Sequence, residues 1–222
     1  MFNIKDNFLP KQLVRIYPVV LLIYLPTILV LLLIGFISWQ TDIPIMDFTR
    51  DPLSIVDAPV YLGFLSNIGI LFWAAGATIC FFAAAIINQI KHKTINFYFL
   101  LFAGVITTIL LIDDFFLLHE EVFPKYFDLA ESQAFLIYLL LVLAYLVFFR
   151  NKIASTDFLL LGLSLFSFAS SAIADEIFVA HFRGKFLIED GCKLLGILTW
   201  TAYFTRVAMT EIIKNCQFNL ES

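Results

Sequence analysis

The 222-residue chain is 61% hydrophobic and 14% charged, where a soluble globular domain is about half apolar and about a quarter charged. A formal net charge of −4 without a basic patch excludes nucleic acid as a partner. Three scattered cysteines (Cys80, Cys192, Cys216) exclude a disulfide framework and a zinc ribbon, and an integral membrane protein with the lipid bilayer as partner remains.

Residues 1–15 are polar and basic, with Lys5, Lys11 and Arg15. The apolar run from Ile16 to Trp39 is long enough to span a bilayer and too long for a signal-peptide core. No small-residue cleavage site follows it, so it reads as an uncleaved first helix. Apolar segments of spanning length recur at about 60–90, 95–118, 132–150, 157–181 and 187–210. None alternates with period two, and only helices or closed barrels satisfy their backbone hydrogen bonds in hydrocarbon. The expected fold is therefore all-α: a single domain over 1–222, a polytopic membrane bundle of six transmembrane helices with the first at about 16–39. Gly76, Cys80 and Ala84, at four-residue spacing on the second helix, predict close helix packing. Trp39, Trp73 and Trp200 read as interface or packing residues.

Nine of the fourteen Lys and Arg residues fall on one side of this topology, in the N-terminal segment, the Lys91–Lys93 and Arg150–Lys152 loops and the C-terminal segment. The positive-inside rule makes that side cytoplasmic and places both termini there. Small size and the lack of a targeting signal point to a bacterial plasma (inner) membrane. The acids run the other way: only Asp6, Asp157, Glu211 and Glu221, four of eighteen, belong to the inner side.

The third span ends in "LLIDDFFLLHEE", residues 110–121, which holds Asp113, Asp114, His119, Glu120 and Glu121. A shift of 62 residues lays Asp113 on Asp175, Asp114 on Glu176, Phe116 on Phe178, His119 on His181 and Asp128 on Asp190. Spans three–four and five–six therefore read as a parallel internal repeat, an arrangement that in membrane folds often brackets a site. Glu189, Asp190 and Lys193 add charges at the start of the sixth span, where three- and four-residue spacing allows them to pair on one helical face. An ionisable group inside a span costs from about 2.5 kcal/mol upward, so such groups usually face the bundle interior and mark a site.

On a straight helix His119 is turned well away from Asp113 and Asp114. The two can meet only across helices, or if the helix ends before His119, and Pro124 is consistent with an ending near there. Imidazole plus carboxylate suits a divalent metal such as zinc, iron or manganese. The corresponding expectation is a metal held by His119, His181, Asp113 and Asp175. Glu120 or Glu176 would be the general base, with Asp114, Glu189, Asp190 and Lys193 in support. The enzyme would be a membrane hydrolase or oxidoreductase acting on a lipid or small amphiphile, and a homo-oligomer is compatible with the size. The pattern contains no His-Glu-x-x-His and no Glu-x-x-His pair. Two other readings stay open: a cation or proton transporter, and a structural or accessory subunit whose ion pairs pin helix ends. Thr107, Thr108, Ser164, Ser167, Ser170 and Ser171 form the one deeper polar line, and each is expected to bond its own helix backbone.

Overall fold

The computed structural model describes residues 8–50, 52–59, 61–90, 94–177 and 185–221, with side chains undescribed at 8–13, 15, 16, 19, 175–177, 185 and 217–221. Every element among the described residues is helical. The chain divides into two compact units, Met1–Leu62 and Gly63–Ser222.

The first unit is built on α1 (Phe8–Thr41), which runs through Pro18 and Pro26 without breaking. Its apolar window, Val20–Thr41, has no buried residue, as suits a helix solvated by lipid tails. Asp42 ends it with φ of 56°, a left-handed position that Asp tolerates, and Ser38 Oγ donates to the carbonyl of Ile43 at 2.7 Å. Two short helices follow, α2 (Ile45–Thr49) and α3 (Pro52–Ile55).

The second unit contains α4 (Phe64–Ile90), α5 (Ile95–Phe116), a π-helical turn (Leu118–Val122), α6 (Phe123–Phe127) and α7 (Glu131–Phe148). It ends with α8 (Arg150–Ala154), α9 (Phe158–Ile177) and α10 (Lys185–Glu221). Helices thus stand at all six segments marked by the apolar runs. Val20–Thr41, Phe64–Ile90, Ile95–Phe116 and Glu131–Phe148 are long and apolar enough to cross a membrane, and Phe158–Ala174 is a shorter apolar helix. The protein is a helical membrane protein. At 37 residues, α10 is about 55 Å long, well beyond a hydrocarbon core of about 30 Å.

Contacts fix the directions. Against α5, α4 places Phe81 on Gly104 and Trp73 at Asp114, so the two are antiparallel. Trp200 on Thr107 and Lys193 on Asp114 make α10 antiparallel to α5 as well. Ser164 on Gly196 and Ser171 on Glu189 do the same for α9 and α10. Asp113 on Tyr138 and Phe99 on Tyr145 set α7 antiparallel to α5.

Small residues carry these approaches, since helices in lipid associate through packing and not through a hydrophobic drive. Gly76, Cys80 and Ala84 are buried, and Gly76 lets Thr201 come so close that an added Cβ would stand 3.1 Å from its hydroxyl. Trp73 stacks on Phe168 and meets Trp200 edge-on, while Phe99, Tyr145, Phe149 and Phe204 fill the space below. Trp73 and Trp200 are core residues and Trp39 is exposed. Four of the six hydroxyls in the deeper line bond their own helix, but Ser164 and Ser171 cross to carbonyls of α10.

At Gly196 a Cβ would lie 2.7 Å from the Phe168 ring, whereas at Gly162 it meets nothing within 4 Å. Gly196→Ala is expected to destabilise the bundle by about 1–3 kcal/mol. Gly162→Ala is expected to be neutral or slightly stabilising, and thermal unfolding of both variants in detergent compares them.

Candidate functional site at the end of α5

α5 is capped by Thr94, whose hydroxyl accepts the N–H of Phe97 at 3.3 Å, and ends at Phe116. Leu117 terminates it in the left-handed conformation, φ 52° and ψ 45°, with its N–H still on the Asp113 carbonyl. That position normally takes glycine, and a non-glycine residue there costs about 1–2 kcal/mol, so surrounding contacts must hold it. The chain then makes one π-helical turn, in which Glu121 and Val122 both donate to the Leu117 carbonyl, at 2.9 and 3.2 Å.

This reversal brings His119 onto Asp113. The backbone N–H of His119 donates to Asp113 Oδ1 at 3.1 Å, and its Nδ1 lies 2.5 Å from Oδ2. Tyr138 of α7 donates its hydroxyl to Oδ1 at 2.6 Å. Asp113 and His119 are each 3% exposed. Both carboxylate oxygens of Asp113 are thus engaged by protein donors. The His119 ring packs on Phe135, and its Nε2 faces Glu120 Oε1 at 3.5 Å, with Glu120 itself exposed.

Asp114 points elsewhere, because consecutive helical residues are turned about 100° apart. Its Oδ2 accepts Trp73 Nε1 at 2.8 Å and its Oδ1 meets Lys193 Nζ at 2.9 Å. The adjacent aspartates serve different neighbours: Asp113 ties α5 to α7 and the π-turn, and Asp114 ties it to α4 and α10. Lys193 therefore pairs across helices. On its own helix, Glu189 is half-buried with its carbonyl on Ser171, and Asp190 is exposed.

Asp175 and Glu176 lie in the last turn of α9 with side chains outside the described residues, as is the whole of His181. The structure brings Asp113, Asp114, His119, Glu120 and Lys193 to one end of the bundle. Among the described residues no three His, Cys, Asp or Glu side chains group as metal ligands. Tyr138, not singled out in the sequence, and Trp73, read there as an interface or packing residue, join the site. The signal for Tyr138 was a phenol inside an apolar span, whose hydroxyl needs a partner when buried.

A family model described as "Domain of unknown function (DUF8692)" matches residues 21–207. The chain belongs to DUF8692. The matched DUF8692 span includes every described member of the site, from Trp73 to Lys193. No curated protein and no solved structure matches the chain.

Burial opposes a charge on His119, but the hydrogen bond and charge of Asp113 outweigh it, with Glu120 adding and Lys193 subtracting, and the pKa is raised. A histidine raised on folding stabilises the folded state fully below its unfolded value, about 6.5, and loses that contribution as pH rises through the folded value. The thermal stability of the parent relative to His119→Gln should be largest in acid and shrink above neutrality. In Asp113→Asn the imidazole is left buried without its carboxylate, and NMR titration of His119 should move to lower pH.

Asp114→Asn leaves the Lys193 ammonium without its carboxylate. A loss of about 2 kcal/mol is expected by chemical unfolding. Asp114→Asn/Lys193→Met should lose less than the sum of the single changes.

Proposed function

We propose that His119, oriented by Asp113, holds a divalent metal through Nε2 at the centre of a membrane enzyme acting on a lipid or small amphiphile. One observation carries this reading. Asp113 takes Nδ1, which fixes the ring and leaves Nε2 beside Glu120 at 3.5 Å. A carboxylate behind a histidine is the usual support of a metal-bound imidazole. Without a metal on Nε2, the same carboxylate would support a histidine general base. In this arrangement Asp113 orients His119 and does not itself reach a metal, because its oxygens already accept from Tyr138 and His119. Glu120, His181 and Asp175 are the candidates for the other ligands, and Glu120 or Glu176 for the base. A bound zinc, iron or manganese would supply an activated water or a redox centre, hence a hydrolase or an oxidoreductase.

The same reading keeps the finer topology: six spans with both termini cytoplasmic, hairpins three–four and five–six as a parallel repeat, and residence in a bacterial plasma membrane. The cluster then lies at the outer headgroup level, where an amphiphile arrives from the leaflet. Exposed Phe115, Phe116, Tyr126 and Phe127 beside the π-turn suit that level.

A second reading, a structural or accessory subunit, is favoured by Asp114, which is fully matched by Trp73 and Lys193. A cation or proton transporter would need titratable groups to continue inward. Below the cluster the described core is Ala77, Cys80, Ile106, Trp200 and Phe204, and Thr107 bonds the Ala103 carbonyl.

The test is metal content by mass spectrometry on protein purified in mild detergent, beside His119→Ala/His181→Ala. Stoichiometric zinc, iron or manganese in the parent, lost in the double variant, is expected. A metal-free parent that folds as well as the variant would sink the metal centre and leave helix pinning as the better account.

A further inference from the structure

At the opposite end of the unit, α7 does not run straight into the next segment. Phe149 breaks it, with φ of −99° and ψ of 15°, and buries its ring against Phe99, Tyr145 and Phe148. α8 then adds little more than one turn before the chain swings into α9. The elbow leaves an open groove of about 260 Å³ lined by Leu146, Arg150, Ile153, Ala154 and Phe158. Leu146, Arg150 and Ala154 follow at four-residue spacing on one face, and Phe158 from the first turn of α9 forms the other wall.

Charge distinguishes the groove from ordinary apolar surface. Four described cations lie toward this end, and two are spoken for: Lys152 Nζ lies 2.7 Å from Glu211, and Arg206 Nε lies 2.7 Å from Asp157, while Lys214, three residues past Glu211, does not line the groove. Arg150 is exposed and has no ion-pair partner among the described residues. It stands two residues past the end of the apolar span Glu131–Phe148, at the depth where hydrocarbon gives way to headgroups. A guanidinium there, with an apolar channel running back toward Leu146, complements a phosphate ester joined to a hydrocarbon chain. Arg grips phosphate through paired hydrogen bonds. The volume is below the about 300–1,000 Å³ of an enclosed small-molecule pocket, so it suits one chain segment of a lipid whose remainder stays in the bilayer.

We propose that the α7–α8–α9 elbow is a binding groove for an anionic phospholipid, with Arg150 on its phosphate and one acyl chain against Leu146, Ile153, Ala154 and Phe158. The site stands independently of the chemistry at His119. By the distribution of basic residues it faces the cytoplasmic leaflet, the one that anionic lipids and basic juxtamembrane residues share.

The test compares the parent, Arg150→Gln and Ala154→Trp, each purified in mild detergent and given equal amounts of phosphatidylglycerol and phosphatidylcholine. Retained lipid is counted by native mass spectrometry, and circular dichroism checks the helices. The parent should retain phosphatidylglycerol preferentially. Arg150→Gln should lower that retention about tenfold. Ala154→Trp, which fills the channel and keeps the charge, should lower retention of both lipids. Unchanged phosphatidylglycerol retention in either variant would overturn the proposal. So would complete displacement of the lipid from the parent by millimolar inorganic phosphate, because that marks a free-anion site without a chain groove.

Discussion

A carboxylate placed where little water reaches it must find its donors in the protein, and Asp113 is that group here. It is 3% exposed and lies at the end of an apolar helix. An unpaired charge in such surroundings would cost several kcal/mol, so the chain around it is arranged to supply donors. Tyr138 comes from α7, and the backbone N–H and ring of His119 come from the turn that follows. The left-handed Leu117 and the π-turn make sense only with this demand in view, since a regular helix through residue 119 would carry the imidazole away from its partner.

Asp114 extends the same logic to two further helices, and the far end of the bundle repeats it. There Glu211 is buried against Lys152 and Asn96, and Asn215 caps the Glu211 carbonyl within α10. Thus α5 and α10 are tied at both ends by polar groups that are at least partly buried, and in between by Trp200 on Thr107. Such ties add little net energy against an apolar alternative, but breaking one partner is costly. Their effect is on register: a helix that slides by one turn loses every one of these pairs at once. The exposed Arg206–Asp157 pair has no such leverage, because solvent screens it.

The helices were legible because a long apolar run has few alternatives in lipid, and the six segments read from composition fall on helices to within a few residues at most ends. The first and last helices are the exceptions: α1 already begins at Phe8, and the apolar stretch of the last marked only its middle, since α10 continues to Glu221. The acidic end of the third span stood out as a candidate site because charge beside lipid is expensive. The condition for joining Asp113 to His119, a helix ending before residue 119, could also be written down beforehand. Its realisation through a leucine in the left-handed region could not, because neither Gly nor Asn marks position 117. Lys193 was placed near Glu189 and Asp190 by helical spacing, yet it crosses to Asp114. Local spacing says which groups can meet on one helix, and the packing of α5 against α10 decides which do. Tyr138 and Trp73 were invisible for a related reason: an aromatic residue in a span reads as packing until the carboxylate it serves is known.

Departures from local rules gather in a short part of the chain. Between Asp113 and Val122 lie a buried carboxylate, a leucine with positive φ, a π-turn and a buried histidine held against its charge preference by Asp113. Elsewhere in the second unit such departures are scattered, with Asp128 at positive φ and Glu211 buried, while Thr stands at a helix start, small residues at crossings and hydroxyls on nearby carbonyls. Sequences that specify a fold agree with themselves at every level except where something besides stability is selected. Helix pinning alone would be met by Asp114, Trp73 and Lys193, which need no strained turn. The turn that satisfies Asp113 also yields an imidazole with one nitrogen fixed and the other directed toward Glu120, and the proposed ligand role of His119 rests on that geometry.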